Sequence, residues 1–241
     1  MQQQQGLIAI LDALGAGNYS DSKIAQFLKS RKLVLDELKA KATRLLGLID
    51  ATLVTIFTFN DTVLIVYRAK KAVTLKDVRG FGELVRRFAV KSLEQGILFR
   101  GAIAIGRFYV DAKTHTVMGA AVSDAAAWYD QADWIGIAAT PKATLFIKSL
   151  TEQGGENIEH LMVDYPVPLK DRPALSLKAV NWPKAFFVSG MTPCAPGEKK
   201  RAKCLSLLAV NDVPRGTESK YFNSVAFFDY CVELWRRQRK N

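Results

Sequence analysis

The first 150 residues alternate between short apolar runs typical of β-strands and longer stretches whose apolar positions recur with helical spacing. Strand-like runs span residues 7–11, 53–57, 63–67, 97–110 and 134–139. Helical spacing spans residues 20–48, 76–95, 120–131 and 141–152, with capping residues, a glycine or a first-turn proline at the boundaries. This order, β-α-β-β-α-β followed by α-β-α, predicts an α+β fold with a ferredoxin-like core and additions.

The remaining residues, from about 155 onwards, show a looser pattern. Prolines at 166, 168 and 183 indicate turns or edge strands, because proline cannot donate a hydrogen bond to a neighbouring strand. Residues 218–239 predict a closing amphipathic helix, with its apolar positions at Phe222, Val225, Phe228, Val232 and Trp235. We therefore expect a catalytic core over residues 1–154 and a C-terminal extension over residues 155–241 that packs on it.

Amino-acid composition indicates the net charge of the protein and its expected compartment. The 241 residues are 49% hydrophobic and carry a net charge of +11, as in a basic globular protein. No apolar run reaches the ~20 residues that cross a bilayer, and three cysteines without metal-site spacing indicate free thiols. We therefore expect a cytoplasmic protein without a membrane span. Basic clusters at 199–203 and 236–240 fit a solvated loop and a helix end, and without an accompanying motif they predict no nucleic-acid partner.

Two acidic residues stand where a sheet of this topology would bring them together. Asp12 follows the first apolar run, and Asp61 lies in the short connection of the predicted hairpin. Because that strand and that hairpin are adjacent in a β-α-β-β core, the two carboxylates can converge on Mg²⁺ or Mn²⁺ and on triphosphate oxygens. Small residues after Asp12 would let backbone N–H groups approach the phosphates. The alternative at this point is that both acids are ordinary turn residues.

Four short segments, in order and spacing, resemble motifs of class III adenylyl and guanylyl cyclases over roughly residues 7–150. Residues 12–16, Asp-Ala-Leu-Gly-Ala, resemble the Asp-Ile-x-Gly-Phe element, and residues 59–61, Phe-Asn-Asp, resemble the hairpin Gly-Asp. Residues 100–106, Arg-Gly-Ala-Ile-Ala-Ile-Gly, resemble Arg-x-Gly-Ile-x-x-Gly, with alanine in place of a glycine at 102. Residues 119–125, Gly-Ala-Ala-Val-Ser-Asp-Ala, resemble Gly-x-x-Val-Asn-x-Ala at the head of a helix.

This resemblance implies a nucleotidyl cyclase that closes a nucleoside triphosphate into a 3′,5′-cyclic monophosphate, using two Mg²⁺ or Mn²⁺ ions per site. It also implies a homodimer with two sites at its interface. The catalytic residues would be Asp12 and Asp61, both as metal ligands, and Arg100 as a cation. The nucleotide-binding residues would be Ala13, Leu14, Gly15, Ala16, Phe57, Thr116 and Ser123.

The base-reading positions depart from the purine cyclase pattern. A lysine four residues before the second metal acid is replaced by Phe57, which cannot donate a charged hydrogen bond, and the partner position falls on Thr116. Together with residues 126–136, Ala-Ala-Trp-Tyr-x-x-Ala-Asp-Trp-Ile-Gly, this resembles the pyrimidine cyclases of bacterial Pycsar anti-phage systems. That resemblance implies cyclic UMP, with cyclic CMP as the less favoured product, acting as a second messenger on a separate effector protein.

A second departure leaves the source of positive charge open. The asparagine and arginine that stabilise the transition state in purine cyclases fall on Ser123 and Ala127. Electrostatic stabilisation of the phosphates still requires a cation. The candidates are Arg100, Lys142, Lys170 and Lys178. Residues with two open interpretations, contact with a base or an ordinary loop or packing role, are His115, Trp128, Tyr129 and Trp134.

Three other functions stay open from the sequence alone. The changes at positions 123 and 127 fit a non-catalytic, cyclase-like module that binds nucleotide or mediates dimerisation. A purine cyclase is the second alternative. A dinucleotide cyclase or polymerase-palm relative would share the core, but its hairpin carries Gly-Gly-Asp-Glu-Phe or Gly-Gly-Asp-Asp, and Phe59-Asn60-Asp61 is neither.

Overall fold

The computed structural model describes residues 3–42, 50–111, 113–188, 193–195, 197–210 and 213–238. Its strands are β1 (Gln3–Ala13), β2 (Val54–Phe59), β3 (Thr62–Arg68), β4 (Phe99–Asp111), β5 (Thr116–Met118), β6 (Ile137–Ala139), β7 (Met162–Leu169) and β8 (Arg172–Val180). Its α-helices are α1 (Asp21–Ala42), α2 (Leu75–Glu94), α3 (Ala120–Trp128), α4 (Pro141–Gly154), α5 (Lys200–Leu208) and α6 (Glu218–Gln238).

The described strands form one sheet in the order β2-β3-β1-β4-β6-β8-β7, with β5 paired to β4. β1 is antiparallel to both β3 and β4, and β2 is antiparallel to β3. With α1 and α2 as the connecting helices, these four strands form a ferredoxin-like core, which confirms the predicted α+β fold. β8 and β7 continue the same sheet beyond β6. The division of the chain at residue 154 stays a prediction.

Side chains of β1 alternate between the two faces of the sheet. Leu7 and Leu11 enter a core shared with α1, α2 and α4, whereas Ile8 and Ile10 enter a smaller core beneath α3. Asp12 continues the second set, so it lies on the α3 face. A third cluster, centred on aromatic residues, joins β7 and β8 to α5 and α6.

Local sequence explains where α2 begins and ends. The Thr74 hydroxyl accepts from the Asp77 N–H, and the Asp77 carboxylate accepts from the Thr74 N–H, which together form a capping box. Gly96, with φ 73°, follows the end of the helix. The five predicted apolar positions are all buried: Phe81, Leu84, Val85, Phe88 and Leu93.

Two glycines of the cyclase-like motifs are required by close approach of neighbouring backbone. A Cβ at Gly101 would lie 2.3 Å from the carbonyl oxygen of Ile10 on the paired strand. A Cβ at Gly119 would lie 2.8 Å from the Cα of Phe108, and its φ of 130° disfavours any side chain. Packing of the strands and of the β4–β5 hairpin therefore accounts for both glycines without reference to a ligand.

The segment after α3 differs from its predicted form. α3 ends at Trp128 rather than near residue 131, and only Ile137–Ala139 of the predicted 134–139 strand joins the sheet. The backbone of Ile135 is bonded to α6 instead of a neighbouring strand, because its N–H donates to Ser224 Oγ at 2.7 Å and its carbonyl oxygen accepts from Ser224 Oγ at 3.3 Å. The adjacent Trp134 is fully buried and stacks on Tyr165 with ring centroids 5.6 Å apart.

The helix that closes the described chain, α6, presents most of its predicted apolar face to the aromatic cluster. Phe228 is buried, and Val225 and Val232 pack against the cluster, which also contains the buried Phe227. Phe222 is the exception, because its side chain is 74% exposed. The predicted helical residues 43–48 and 239 lie outside the described residues.

Prolines at 166 and 168 lie on β7, the last strand of the sheet order. Their edge position agrees with the prediction, because an edge strand has one row of N–H groups without a partner strand. Asn181 caps a short 3-10 turn that contains Pro183, the third predicted turn signal. The strand β7, which carries two of these three prolines, is therefore at the edge of the sheet, as predicted.

The described helices include none with both the length and the apolar character needed to span a bilayer. The two buried cysteines, Cys204 and Cys231, are free thiols, as predicted. Burial raises the pKa of the Cys204 thiol to about 12, and it raises the pKa of Cys231 well above the usual value. Neither buried thiol is therefore a ready nucleophile at neutral pH.

Candidate active site

Asp12 and Asp61 are neighbours at the end of the sheet where β1 finishes and the β2–β3 turn lies. Asp12 pairs with Thr62 of β3, and Asp61 directly precedes Thr62 in the two-residue turn. The Ala13 N–H donates to the Asp61 carbonyl oxygen at 3.3 Å and so ties the turn to β1. Asn60 adopts a left-handed φ of 49°, which asparagine tolerates better than most residues. Strand register thus places both acids in one corner.

Arg100 of β4 holds one oxygen of the Asp12 carboxylate from the opposite side. Arg100 Nε and Nη2 both donate to Asp12 Oδ2, at 3.2 and 3.1 Å, and Nη1 donates to the Asp130 carbonyl oxygen at 3.2 Å. The Asp12 and Arg100 side chains are 17% and 14% exposed. Because both bonds end on Oδ2, the second oxygen of Asp12, Oδ1, takes part in none of the hydrogen bonds found among the described residues and is a candidate ligand atom.

Asp12 is a partly buried acid among both like and opposite charges. Burial raises the pKa of Asp12 above its usual value, Arg100 opposes this, and the charges of Asp61 and Asp130 add to it. Tyr129 belongs to the same corner, since burial and the charges of Asp12 and Asp130 raise its pKa. Repulsion between neighbouring carboxylates is the condition that a bound cation relieves.

The donor set suits a hard divalent ion that is shared with a phosphate ligand. Within the described part of the chain, no three His, Cys, Asp or Glu side chains are grouped as a protein-only metal site. Mg²⁺, however, is commonly bound by one or two carboxylates, with phosphate oxygens and waters completing its shell. Asp12 and Asp61, both partly buried, supply two such carboxylates. Their oxygens favour Mg²⁺ or Mn²⁺ over softer metals.

The turn after β1 contains the four residues predicted to approach phosphates, Ala13, Leu14, Gly15 and Ala16. The N–H groups of Ala13 and Leu14 already donate to the carbonyl oxygens of Asp61 and Leu98. Gly15 has φ 79° and precedes a 3-10 turn, Ala16–Asn18. Of the four, Gly15 and Ala16 are therefore the residues whose amides are left for an anion.

Phe57 and Thr116, the predicted base-reading positions, form a second group together with His115. Phe57 faces the same side of the sheet as Asp12, two residue pairs further from the turn. The His115 ring meets the Phe57 ring edge-on, with centroids 6.1 Å apart. The hydroxyl of Thr114 donates to Thr116 Oγ1 at 3.1 Å. The structure thus adds an imidazole to the predicted pair.

The four candidate cations differ in position. Lys178 is buried and donates to Asp164 at 2.9 Å, which removes it from consideration. Lys142 is exposed in the first turn of α4, a helix that packs on the face opposite Asp12. Lys170, in the β7–β8 turn, has its Nζ 3.8 Å from Asp130 Oδ2. Of the four, Arg100 and Lys170 are nearest to the acids.

The remaining predicted residues on α3 and after it fall into two kinds. Ser123 and Ala127 are both exposed on α3, and neither brings charge to the site. Trp128 lies 5.0 Å beneath the guanidinium of Arg172, whereas Trp134 is enclosed in the aromatic cluster. Trp134 therefore has a packing role, the second of the two interpretations left open by the sequence.

Two residues near the acids were missed by sequence reasoning. Asp130 follows α3, and its carbonyl accepts from Arg100. Arg31 of α1 donates through Nη1 to the Asn60 carbonyl oxygen. Burial lowers the pKa of Arg31, and the charge of Asp61 opposes that change. Its spacing was an available signal, because Arg31 lies four residues after the apolar Phe27 and so on the same helical face.

The catalytic core of a rhodopsin-guanylyl cyclase with converted specificity, solved in complex with ATPαS, is similar in structure to this chain. The similarity covers 74% of this chain and 96% of that one, at 17% sequence identity and a TM-score of 0.46. At this level nothing about ligand or reaction follows from the likeness. No protein-family model matches the sequence, and neither does any sequence in the set of curated proteins.

Proposed function

We propose that this chain is a nucleotidyl cyclase that converts a nucleoside triphosphate into its 3′,5′-cyclic monophosphate and pyrophosphate. The observation that carries the proposal is the corner formed by Asp12 and Asp61, with Asp12 Oδ1 open to a ligand and the Gly15 turn beside it. The resemblance of four segments to class III cyclase motifs supports the same reaction, because two of those segments contain the two acids.

In the proposed reaction the ribose 3′-oxygen attacks the α-phosphorus. The bond from that phosphorus to the bridging oxygen of the β-phosphate breaks, and the 3′-hydroxyl proton passes to solvent. Asp12 and Asp61 would hold two divalent ions, Mg²⁺ or Mn²⁺, which lower the pKa of a bound hydroxyl and neutralise the charge of a pyrophosphate leaving group. The amides of Gly15 and Ala16 would orient phosphate oxygens by direct donation.

Arg100 and Lys170 are the residues that we propose to place against the phosphates. Arg100 borders both Asp12 and Asp130, so its guanidinium already stands at the edge of the acidic corner. The ion pair of Lys170 with Asp130, at 3.8 Å and between partly exposed groups, is weak. Lys170 can therefore exchange that partner for a phosphate at little cost.

We further propose that the base is a pyrimidine, with UTP favoured over CTP. In the cyclase resemblance Phe57 stands where purine enzymes have a lysine, and its ring packs against His115 rather than offering a charged donor. His115 and Thr116 present an imidazole and a hydroxyl that can hydrogen-bond a small base edge. By the Pycsar resemblance, the cyclic UMP would act on a separate effector protein in anti-phage defence.

We propose that two copies assemble with the sites at their interface. The sheet face that carries Asp12 is packed by the nine-residue helix α3. Phe59, whose position in the ladder faces the same side as Asp12, is 76% exposed. Covering such a side chain with a second copy would remove apolar surface from water. Light scattering of the wild type and of Phe59→Lys tests this assembly, since the lysine variant is expected to be monomeric.

Product identification tests the enzyme assignment directly. Purified protein is incubated with equimolar ATP, GTP, CTP and UTP plus Mn²⁺, and products are identified by mass spectrometry. We expect cyclic UMP from the wild type and from Asp36→Ala, which removes an exposed acid from α1, and no product from Asp61→Ala. A cyclic purine product contradicts the base assignment alone. No cyclic product from any nucleotide, while a control cyclase works, contradicts the enzyme.

A non-catalytic nucleotide-binding module is the second candidate. It is favoured by Ser123 and Ala127, which are exposed on α3 without the charge that purine cyclases use there. This function predicts that calorimetry detects nucleotide binding although no turnover occurs. It also predicts that Asp61→Ala leaves the cellular phenotype of the protein unchanged.

A further inference from the structure

Arg31 is a cation that lies against the β2–β3 turn. Its Nη1 donates to the carbonyl oxygen of Asn60, the residue before Asp61. Its guanidinium carbon lies 5.2 Å from the centroid of the Phe27 ring, one turn earlier on α1. Phe27 is itself buried and meets Tyr19 edge-on at 5.9 Å. Arg31 is thus held by an anchored ring on one side and contacts the turn on the other.

The β2–β3 ladder ends at the pair Phe59 and Thr62, and the two turn residues lie beyond it. The Phe59 side chain is 76% exposed, so packing contributes little to the position of the turn. The bond from the Ala13 N–H to the Asp61 carbonyl is long, at 3.3 Å. A charged donor on the Asn60 carbonyl therefore adds to the strand ladder a direct restraint on the turn that contains Asp61.

We propose that Arg31 is a positioning residue that, by holding the Asn60 carbonyl, keeps Asp61 beside Asp12 and so sets the affinity of the two acids for a divalent cation. This inference rests on the proposed function, because it assigns a role to Arg31 within the same site. Arg31 acts through the turn and does not contact substrate in this arrangement.

Arg31 could act by positioning the turn or only through the charge of its guanidinium. The two roles predict opposite changes in the affinity for a divalent cation when Arg31 is removed. A guanidinium near a cation site repels the cation, so loss of its charge alone would strengthen cation binding. Loss of a group that orients a ligand weakens binding, typically by 10–100-fold for residues just outside the ligands. The direction of the change in Mn²⁺ affinity therefore distinguishes the two roles.

The experiment measures Mn²⁺ binding to the full chain from the electron paramagnetic resonance signal of free Mn²⁺, first alone and then with α,β-methylene-UTP. We expect Arg31→Ala to weaken binding roughly tenfold. Arg31→Lys should restore most of the affinity, because an ammonium can still donate to Asn60. Lys32→Ala is the matched control, since it removes the same charge from the exposed neighbour that pairs with Asp36. It should bind Mn²⁺ as the wild type does.

Unchanged or tighter Mn²⁺ binding by a folded Arg31→Ala overturns the inference. If that variant does not fold, Arg31→Gln takes its place, and the same directions of change apply. A wild type that binds Mn²⁺ and makes a cyclic product, together with an Arg31→Ala variant of equal affinity, leaves the proposed function standing and removes only the role of Arg31. A wild type that neither binds Mn²⁺ nor turns over nucleotide contradicts the proposed function itself.

Discussion

The acidic corner at Asp12 and the aromatic cluster at Trp134 belong to one sheet but bury different kinds of side chain. The corner brings like charges together, whereas the cluster packs apolar rings. In the corner, carboxylates approach one another, and burial raises the pKa of Asp12. In the cluster, Phe227 meets Trp134 and Tyr165 edge-on, with centroids 4.8 and 4.7 Å away. Burying like charges costs free energy, whereas aromatic contacts of this kind stabilise the fold. We therefore expect the cluster to contribute to stability and the corner to serve the proposed metal site.

The strongest test of that comparison is Asp61→Ala. Metal-assisted stabilisation amounts to several kcal/mol, so we expect cyclase turnover to fall about a thousandfold. Asp61 is only partly buried and lies in a two-residue turn, so the free energy of unfolding should change by less than about 1 kcal/mol. Product formation and urea denaturation measure the two effects. A large loss of stability would show that the corner is structural and would break the comparison.

Trp134→Ala should show the converse. Removal of a fully buried tryptophan costs about 3–5 kcal/mol of unfolding free energy. Phe222→Ala, which removes an exposed aromatic side chain from the nearby helix α6, is the control and should cost less than about 0.5 kcal/mol. Urea denaturation provides both values. Equal effects of the two substitutions would mean that the cluster does not hold the extension to the sheet as described.

Phe57→Lys tests whether the aromatic pair beside the corner, Phe57 and His115, selects the base. A new charge-assisted hydrogen bond contributes about 1.5–3 kcal/mol, enough to raise the ratio of cyclic purine to cyclic pyrimidine product at least about tenfold. Competition among the four nucleotides, read by mass spectrometry, measures the ratio. Phe222→Lys introduces the same charge at an exposed phenylalanine and should leave it unchanged. A fixed ratio in Phe57→Lys would locate base selection elsewhere.

The smallest expected effects concern two lysines of the β7–β8 hairpin, Lys170 and Lys178, to which we assign different roles. Lys170→Ala should lower turnover about tenfold, because a single electrostatic contact to a reacting phosphate is lost, and should leave stability unchanged. Lys178→Ala should instead lower stability by about 1–2 kcal/mol, because a buried partner of Asp164 is removed. Initial rates and melting temperatures of both variants distinguish the roles. The reverse pattern would exchange their assignments.

Much of the core followed from the sequence, because its helices and strands have strong periodic patterns. The apolar positions of α2 repeat clearly, and all five predicted ones are buried. Most of the predicted face of α6 also packs as expected, but Phe222 does not, because the partner cluster determines which apolar residues of the helix are covered. The 134–139 segment was predicted as one strand because its residues are apolar, whereas hydrogen bonds with Ser224 of α6 occupy the backbone N–H and carbonyl of Ile135.

The acidic corner was predictable in outline for a topological reason. Strand order makes β1 and β3 neighbours, and this places Asp12 next to the turn that holds Asp61. Contacts made through loops or between distant elements gave weaker signals, since the spacing of Arg31 indicated only its face of α1 and His115 was left with two interpretations. Arg31, Asp130 and His115 reach their partners from α1, from the segment after α3 and from the β4–β5 turn. Burial of Lys178 was likewise invisible, since it depends on the whole β7–β8 hairpin.

The two prolines of β7 restrict how copies of this chain could polymerise through their backbones. A foreign strand that docked along β7 would meet two positions that have no N–H donor. At the other end of the sheet order, Val54–Phe59 of β2 contains no proline, so all its N–H groups are present. Fibril growth by strand addition therefore has one permitted direction, and it stops wherever the proline-bearing edge is the one exposed.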